Sequence, residues 1–257
     1  MKILKLLLFF LILLLFPNAK LEAQYLNLFG GVKFPEFKNS NVQLAYRDES
    51  PAPDTFYSNK TLNNQMYYTI GVSYDNFSHE KKIYVNAIGN INFGELFGFD
   101  VGLSVGYPLY LNKSKSLSLL PCLTGGITYM SKGLGELINN TTYIQVNNTK
   151  FGSSKNVSVS LAKTDLLLKP NINLLIDLSQ KLQLRITGAY LFDFTTNEFI
   201  NFTGQDNSGK AIGDEEDVDA SNISYLVNGV KSKDIPFNIT GWELKLGIAI
   251  NFSSDKK

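Results

Sequence analysis

The stretch Trp242 to Phe252, WELKLGIAINF, constrains the chain most. Its even positions are Trp242, Leu244, Leu246, Ile248, Ile250 and Phe252; its odd positions are Glu243, Lys245, Gly247, Ala249 and Asn251. Strict alternation places the two sets on opposite faces of a β-strand. One face is wholly apolar, with aromatics at both ends and aliphatics between. The other is small or charged. The span is long enough to cross a bilayer as a tilted strand, so the stretch predicts a membrane-crossing strand that closes a sheet.

The opposite end carries a different signal. Lys2 and Lys5 form a charged start, Leu6 to Phe16 an uninterrupted apolar run, and Pro17 to Ala23 a polar-to-small segment before Gln24. This predicts a cleaved secretory signal peptide over residues 1–23. The apolar run is short for a spanning helix of roughly 20 residues. No cysteine stands at the cleavage site, which argues against a lipoprotein. Cys122 is the only cysteine, so an intramolecular disulfide is excluded. The net charge of +1 gives no case for nucleic acid, which calls for a basic patch or stripe. One domain is expected over 24–252, followed by the polar tail SSDKK, 253–257.

Seven further stretches show the same alternation. Leu26, Leu28, Val32 and Phe34 share a face opposed by Asn27, Gly31 and Lys33. Met66, Tyr68, Ile70, Val72 and Tyr74 oppose Tyr67, Thr69, Gly71, Ser73 and Asp75. Ile83, Val85, Ala87, Ile91 and Phe93 oppose Asn86, Asn90 and Asn92. Phe97 to Tyr107 alternates large apolar with Gly98, Asp100, Gly102, Ser104 and Gly106. Ser116 to Met130 is less regular, with Leu120, Cys122 and Met130 adding bulk to the second face. Asp165 to Leu178 sets Leu166, Leu168, Ile172, Leu174 and Ile176 against Lys169, Asn171, Asn173 and Asp177. Leu182, Leu184, Ile186, Tyr190, Phe192 and Phe194 oppose Gln183, Arg185, Thr187, Ala189 and Asp193. Pro121 and Pro170 fall inside two of these stretches; proline cannot donate to a ladder, so each implies a bulge or a shifted strand end.

The connections sort by length. Three long polar segments, 35–64, 131–164 and 197–238, fall at one end, with Tyr143 to Val146 and Val157 to Leu161 expected to extend flanking strands. Short turns, including Asn76 to Lys81, fall at the other. Apolar-face aromatics cluster at the long-loop end: Phe34, Tyr68, Phe93, Phe97, Phe99, Tyr129, Phe192, Phe194 and Trp242. Tyr74, Tyr107 and Phe252 mark the short-turn end. An even strand number, long outer loops, short periplasmic turns and two aromatic girdles define a transmembrane β-barrel of the outer membrane. The fold class expected is therefore all-β: a single antiparallel barrel of about eight strands. A soluble lipocalin-like binder would show similar alternation with its apolar face inward. Its water-facing side should then be rich in Lys and Glu, whereas here it is mostly Gly, Ser, Thr, Asn and Ala.

On the leader ending Ala23-Gln24, this strand grammar and the aromatic-terminated GWELKLGIAINF, the chain resembles the small outer-membrane β-barrel proteins of Bacteroidota-type bacteria, porin-like and PorT-like, over Gln24 to Phe252. The resemblance implies that Trp242, Leu244, Leu246, Ile248, Ile250 and Phe252 act as the signal read by the barrel-insertion machinery. The SSDKK tail departs from the pattern, since such signals often end at the aromatic. Members of this group serve adhesion, secretion-system assembly, envelope integrity or small pores. Surrounding partners would be outer-membrane lipids and lipopolysaccharide, with an envelope or secretion-complex partner as a further expectation.

The inward charges form the first candidate site: Lys33, Asp100, Lys169, Asp193, Glu243 and Lys245 in the outer half of the lumen, with Arg185, Asp177 and Asp75 lower. Pairing of the last strand with the first brings Glu243 and Lys245 near Lys33. The two readings are a structural ion-pair network that plugs the lumen and a selectivity lining for a small-solute, porin-like channel. An eight-stranded interior is just wide enough to be filled by side chains, which favours the plug. A lipid-A-directed hydrolase needs a nucleophile, a base and an orienting group within reach; the one histidine, His79, falls in a short turn at the wrong end. Cys122 reads as interior packing. The acidic run Asp214, Glu215, Glu216, Asp217 and Asp219 suits calcium chemically but has no calcium-loop spacing, so it reads as a solvated loop. No cofactor is expected. The function expected is a non-enzymatic outer-membrane barrel whose surface loops carry recognition, envelope integrity or assembly of a secretion or adhesion complex.

Overall fold

The computed structural model describes residues 23–50, 53, 55–78, 83–139, 143–153 and 155–252. The leader up to Glu22, His79 and the SSDKK tail lie outside the described residues.

Among the described residues the regular elements are all strands. In chain order they are β1 (Ala23–Pro35), β2 (Ser40–Arg47), β3 (Thr55–Leu62), β4 (Tyr67–Ser78), β5 (Ile83–Phe93), β6 (Phe97–Gly106), β7 (Leu109–Tyr110) and β8 (Leu117–Leu137). There follow β9 (Ile144–Val146), β10 (Thr149–Phe151), β11 (Val157–Asp177), β12 (Leu182–Gln205), β13 (Ala211–Asp217), β14 (Ile223–Val227), β15 (Val230–Lys231) and β16 (Gly241–Asn251). Eight of them close a ring in the order β1, β4, β5, β6, β8, β11, β12, β16, and β16 returns to β1. Every pair in the ring is antiparallel. These are the eight stretches that alternate in the sequence.

Closure follows from register. One continuous row runs Ile248, Leu28, Val72, Gly89, Val101, Ile127, Leu166, Phe194 around the wall. Because side chains alternate, fixing this row outward fixes every second position inward. The outward set is exposed: Leu246 is 57 % accessible and Trp242 58 %. The inward set is packed so closely that glycine is required at several points. A Cβ at Gly98 would collide with the Tyr129 carbonyl oxygen and the Met130 sulfur.

The two prolines are absorbed without the expected bulges. Pro170 stays in register with Leu123 of β8, while the β11–β12 ladder omits Lys169 and Pro170 and resumes unshifted at Asn171 and Ala189. Pro121 stays in register with Ile172, and its carbonyl accepts from the Tyr107 amide where the β6 ladder ends. The shifts in register lie elsewhere, at Thr164/Asp165 and Val159/Ser160. The turn expected at Asn76 to Lys81 is also shorter, since β4 pairs with β5 as far as Ser78.

The main correction concerns the three long polar segments. They fold. β2, β3, β14 and β15 form a four-stranded sheet in the order β15-β14-β2-β3. β9 and β10 form a hairpin, which Tyr143 to Val146 enters instead of extending a barrel strand. β8 and β11 run 21 residues each and β12 runs 24, well past the ~9–11 that a bilayer needs. These extensions and the small sheet enclose a core of Val42, Leu44, Tyr46, Phe56, Leu62, Ile144, Phe151, Phe202, Tyr225 and Phe237. Val42, Leu44 and Tyr46 alternate along β2, so one face of that strand is buried. The barrel therefore carries a folded β-cap at one end, with Tyr67 and Leu96 buried beneath it.

Candidate functional site: a filled lumen under a β-cap

The inward charges assemble into two networks. In the cap-side half, Lys33 donates to Asp100 Oδ2 at 2.5 Å and lies 3.7 Å from Glu243 Oε1. Lys169 and Lys245 both reach Glu243 Oε2, at 3.1 and 3.0 Å. Asp100 also accepts from Asn90 Nδ2 (2.6 Å), Asn92 Nδ2 (2.9 Å) and Thr128 Oγ1 (2.8 Å). Lys33 is 1 % accessible and Glu243 0 %. Charges this deep survive only when paired and hydrogen-bonded, and each of them is.

In the opposite half, Arg185 pairs with Asp75. The Tyr84 hydroxyl donates to Asp75 Oδ1 (3.0 Å) and accepts from Arg185 Nη1 (3.2 Å). Arg185 Nε donates to Gln183 Oε1 (2.8 Å), and Gln183 Nε2 donates to Asp177 Oδ1 (2.7 Å). The guanidinium lies over the Tyr25 ring, 5.6 Å from its centroid. Charged and aromatic side chains thus interleave in this half of the barrel.

Five of the expected residues, Lys33, Asp100, Lys169, Glu243 and Lys245, thus form one cluster. Arg185 belongs to the second. Asp193 does not join either. It sits at the rim, bound to the Thr240 hydroxyl and, at 3.1 Å, to the Ile239 amide. With Glu198 accepting from the Ile235 amide (2.8 Å) and Lys163 donating to the Phe237 carbonyl (3.2 Å), it clamps the segment that leads from the cap into β16. Asp177 lies at the exposed short-turn end of β11. The sequence reading missed Tyr84, Asn90, Asn92 and Thr128 as ligands of the carboxylates. Their signal was their parity: each is an inward position on its strand.

The residual space between the networks is small. A cavity of about 30 Å³ is lined by Asn27, Ser73, Tyr84, Lys169, Arg185 and Lys245, among others. That admits about two water molecules.

The acidic run is mostly strand and not loop, with Asp219 in the turn that follows. β13 pairs with β12 from Ala211 to Asp217, so Asp214 and Glu216 point to one side and Glu215 and Asp217 to the other. Asp219 is held by Lys233 at 2.6 Å, which lowers its pKa. Among the described residues no group of three or more His, Cys, Asp or Glu converges as a metal site. Burial pushes the Glu216 carboxyl upward, with Glu49 and Asp214 adding to the shift. Cys122 packs with Tyr84, Leu120 and Leu175, and its sulfur receives Asn173 Nδ2 at 3.6 Å.

Compared with known proteins, the chain matches no family model and no curated protein. Among solved structures it is similar to a major outer membrane protein from Thermus thermophilus, at 12 % identity and a TM-score of 0.45, covering 90 % of this chain and 100 % of that one.

Proposed function

We propose that the chain is an integral outer-membrane protein whose barrel is a closed, non-conducting scaffold for its extracellular β-cap. The observation that carries this reading is the coincidence of an apolar exposed belt with a lumen filled by paired charges. Outside, Leu28, Ile70, Ile91, Leu166, Leu246 and Ile248 are all exposed at mid-wall. Such a surface suits lipid and would aggregate in water. Inside, the cavity between the two charge networks holds about 30 Å³. The cap sits at the girdle-rich end, opposite the short turns, which supports an orientation with the cap outside the cell and the turns in the periplasm.

In this role the cap, not the lumen, meets partners. Its surface is positioned by the barrel wall, as recognition surfaces commonly are by a scaffold. Envelope integrity or assembly of a secretion or adhesion complex are the functions such a surface serves, with the insertion machinery reading the Trp242 to Phe252 strand during assembly. The test is purification of the mature protein from outer membranes in mild detergent. Heat-dependent gel mobility, absence of steady current in planar bilayers and a stoichiometric companion on the tagged protein are the expected results. Recovery in the soluble periplasm would overturn the membrane reading, and steady current would restore the channel.

A further inference from the structure

The buried lumen charges do not balance, since Asp177 of the lower network lies at the exposed end of β11. Between the two ends of the barrel, Lys33, Lys169, Lys245 and Arg185 are buried with Asp75, Asp100 and Glu243. The Lys163, Asp165, Asp193 and Glu198 group lies above them at the rim and is engaged with the cap segment. The excess positive charge is also localised. Arg185 has Asp75, and Lys33 has Asp100. Lys169 and Lys245 share a single carboxylate oxygen, Glu243 Oε2, and their amino groups lie against one another. Two adjacent ammonium groups on one oxygen, out of water, repel strongly.

The cavity lies beside this pair. Its walls include Lys169, Lys245 and Arg185 and no aspartate or glutamate. Each ammonium carries three N–H donors, and the shared oxygen takes one from each lysine. Lys245 also sits over the Phe29 ring, 4.6 Å from its centroid, which leaves the cavity as the direction for what remains. The wall further holds the Asn27 and Asn86 side-chain oxygens, both buried without a donor. A water donating to these oxygens accounts for one of the two places that about 30 Å³ provides. The rest of that space is walled by Lys169, Lys245 and Arg185.

We propose that this cavity binds a single small monovalent anion of halide size, held between Lys169, Lys245 and Arg185. The proposal rests on the closed-lumen reading, because only a sealed interior makes the extra charge costly. Chloride fits in size and charge. Phosphate, sulfate and metabolite carboxylates are too large for the space. Bound there, the ion separates the two ammonium groups and couples the cap-side network to the Arg185–Asp75 pair.

The test uses the full mature barrel in detergent. Crystals grown in sodium bromide should show one anomalous peak in the lumen, within contact of Lys169 and Lys245. At constant ionic strength, the unfolding temperature should be about 3–5 °C higher in chloride or bromide than in gluconate, which is too large to enter, once halide exceeds its Kd tenfold. Lys245→Met and the cavity-filling Thr187→Leu should each lose that halide dependence, whatever their own unfolding temperatures. If neither variant folds, the wild-type bromide peak decides. Absence of the peak together with equal unfolding in halide and gluconate would overturn the anion site. Planar-bilayer current separates the two readings. No current and no peak overturns the anion site alone, whereas steady anion-selective current overturns both.

Discussion

Lys33 and Glu243 stand directly opposite each other across the β1–β16 seam, in register and 3.7 Å apart from Nζ to Oε1. That seam joins the first strand of the barrel to the last. The pair therefore ties closure of the ring to satisfaction of its interior: the lysine at the centre of the plug has Asp100 from β6 and gains its second carboxylate, Glu243, only when β16 has docked.

The first prediction follows. In Glu243→Ala, Lys169 and Lys245 lose their shared acceptor and Lys33 keeps only Asp100. Removing one member of a buried charged network costs about 3–5 kcal/mol. Urea unfolding of the refolded barrel, followed by tryptophan fluorescence from Trp242, should show that loss, and bilayers should remain without large current. Unchanged stability would mean that the lysines are satisfied without Glu243.

Glycine at 241 is the second point of seam control. Gly241 has φ +145°, and a Cβ there would collide with the Phe34 carbonyl oxygen. The residue turns the chain out of the cap clamp and into β16, opposite Pro35. Gly241→Ala should therefore destabilise by about 2 kcal/mol or more, and a larger fraction should stay unfolded on the gel without boiling.

How much of this was legible in the sequence depends on what each position answers to. The barrel was legible because a transmembrane strand obeys one rule along its length: Leu244, Leu246 and Ile248 face outward, and Glu243, Lys245 and Gly247 inward. The Lys33–Glu243 contact was legible for the same reason, since closure forces the first and last strands together. Asp193 was misplaced because parity gives the face but not the height, and its strand runs on to Gln205, beyond where the outward pattern stops. The cap was read as loop because its strands are short and its polar face dominates the composition. NVQLAYR does alternate Val42, Leu44 and Tyr46, but a pattern of that length carries little weight until a partner strand is known, and its partners β3 and β14 are distant from each other in sequence. Pro170 was expected to cause a bulge or a shifted strand end, yet the ladder drops two pairs on one side and keeps its register.

The outward face supplies a third prediction. Leu246 lies at the middle of β16 on the exposed side. Arginine there should cost about 2–4 kcal/mol of stability in lipid vesicles, while a charge near the end of the strand costs about 0–1 kcal/mol. Leu246→Arg should thus fold poorly into vesicles and Phe34→Arg nearly normally. A water-facing surface would tolerate both equally, so equal folding of the two would remove the bilayer from the account.

The fourth prediction separates cap from barrel. Tyr46 is fully buried in the cap core, its ring 4.6 Å from that of Phe202 on the extended part of β12. Burial, with Glu216 and Glu49 nearby, holds its hydroxyl well above the usual tyrosine range, so it is neutral and acts as an apolar body with one polar tip. Tyr46→Ala leaves a cavity where β2 meets β12, at about 3–5 kcal/mol. No ladder runs from β2 or β3 into the ring, so the loss should be local. Brief protease treatment of intact cells should then cut the variant between residues 35 and 66 while the wild type stays whole. The eight-stranded wall should keep its heat-dependent mobility in both. If cutting and loss of the folded barrel came together, the cap would be part of the cooperative unit, and the barrel beneath it could not be treated as an independent scaffold.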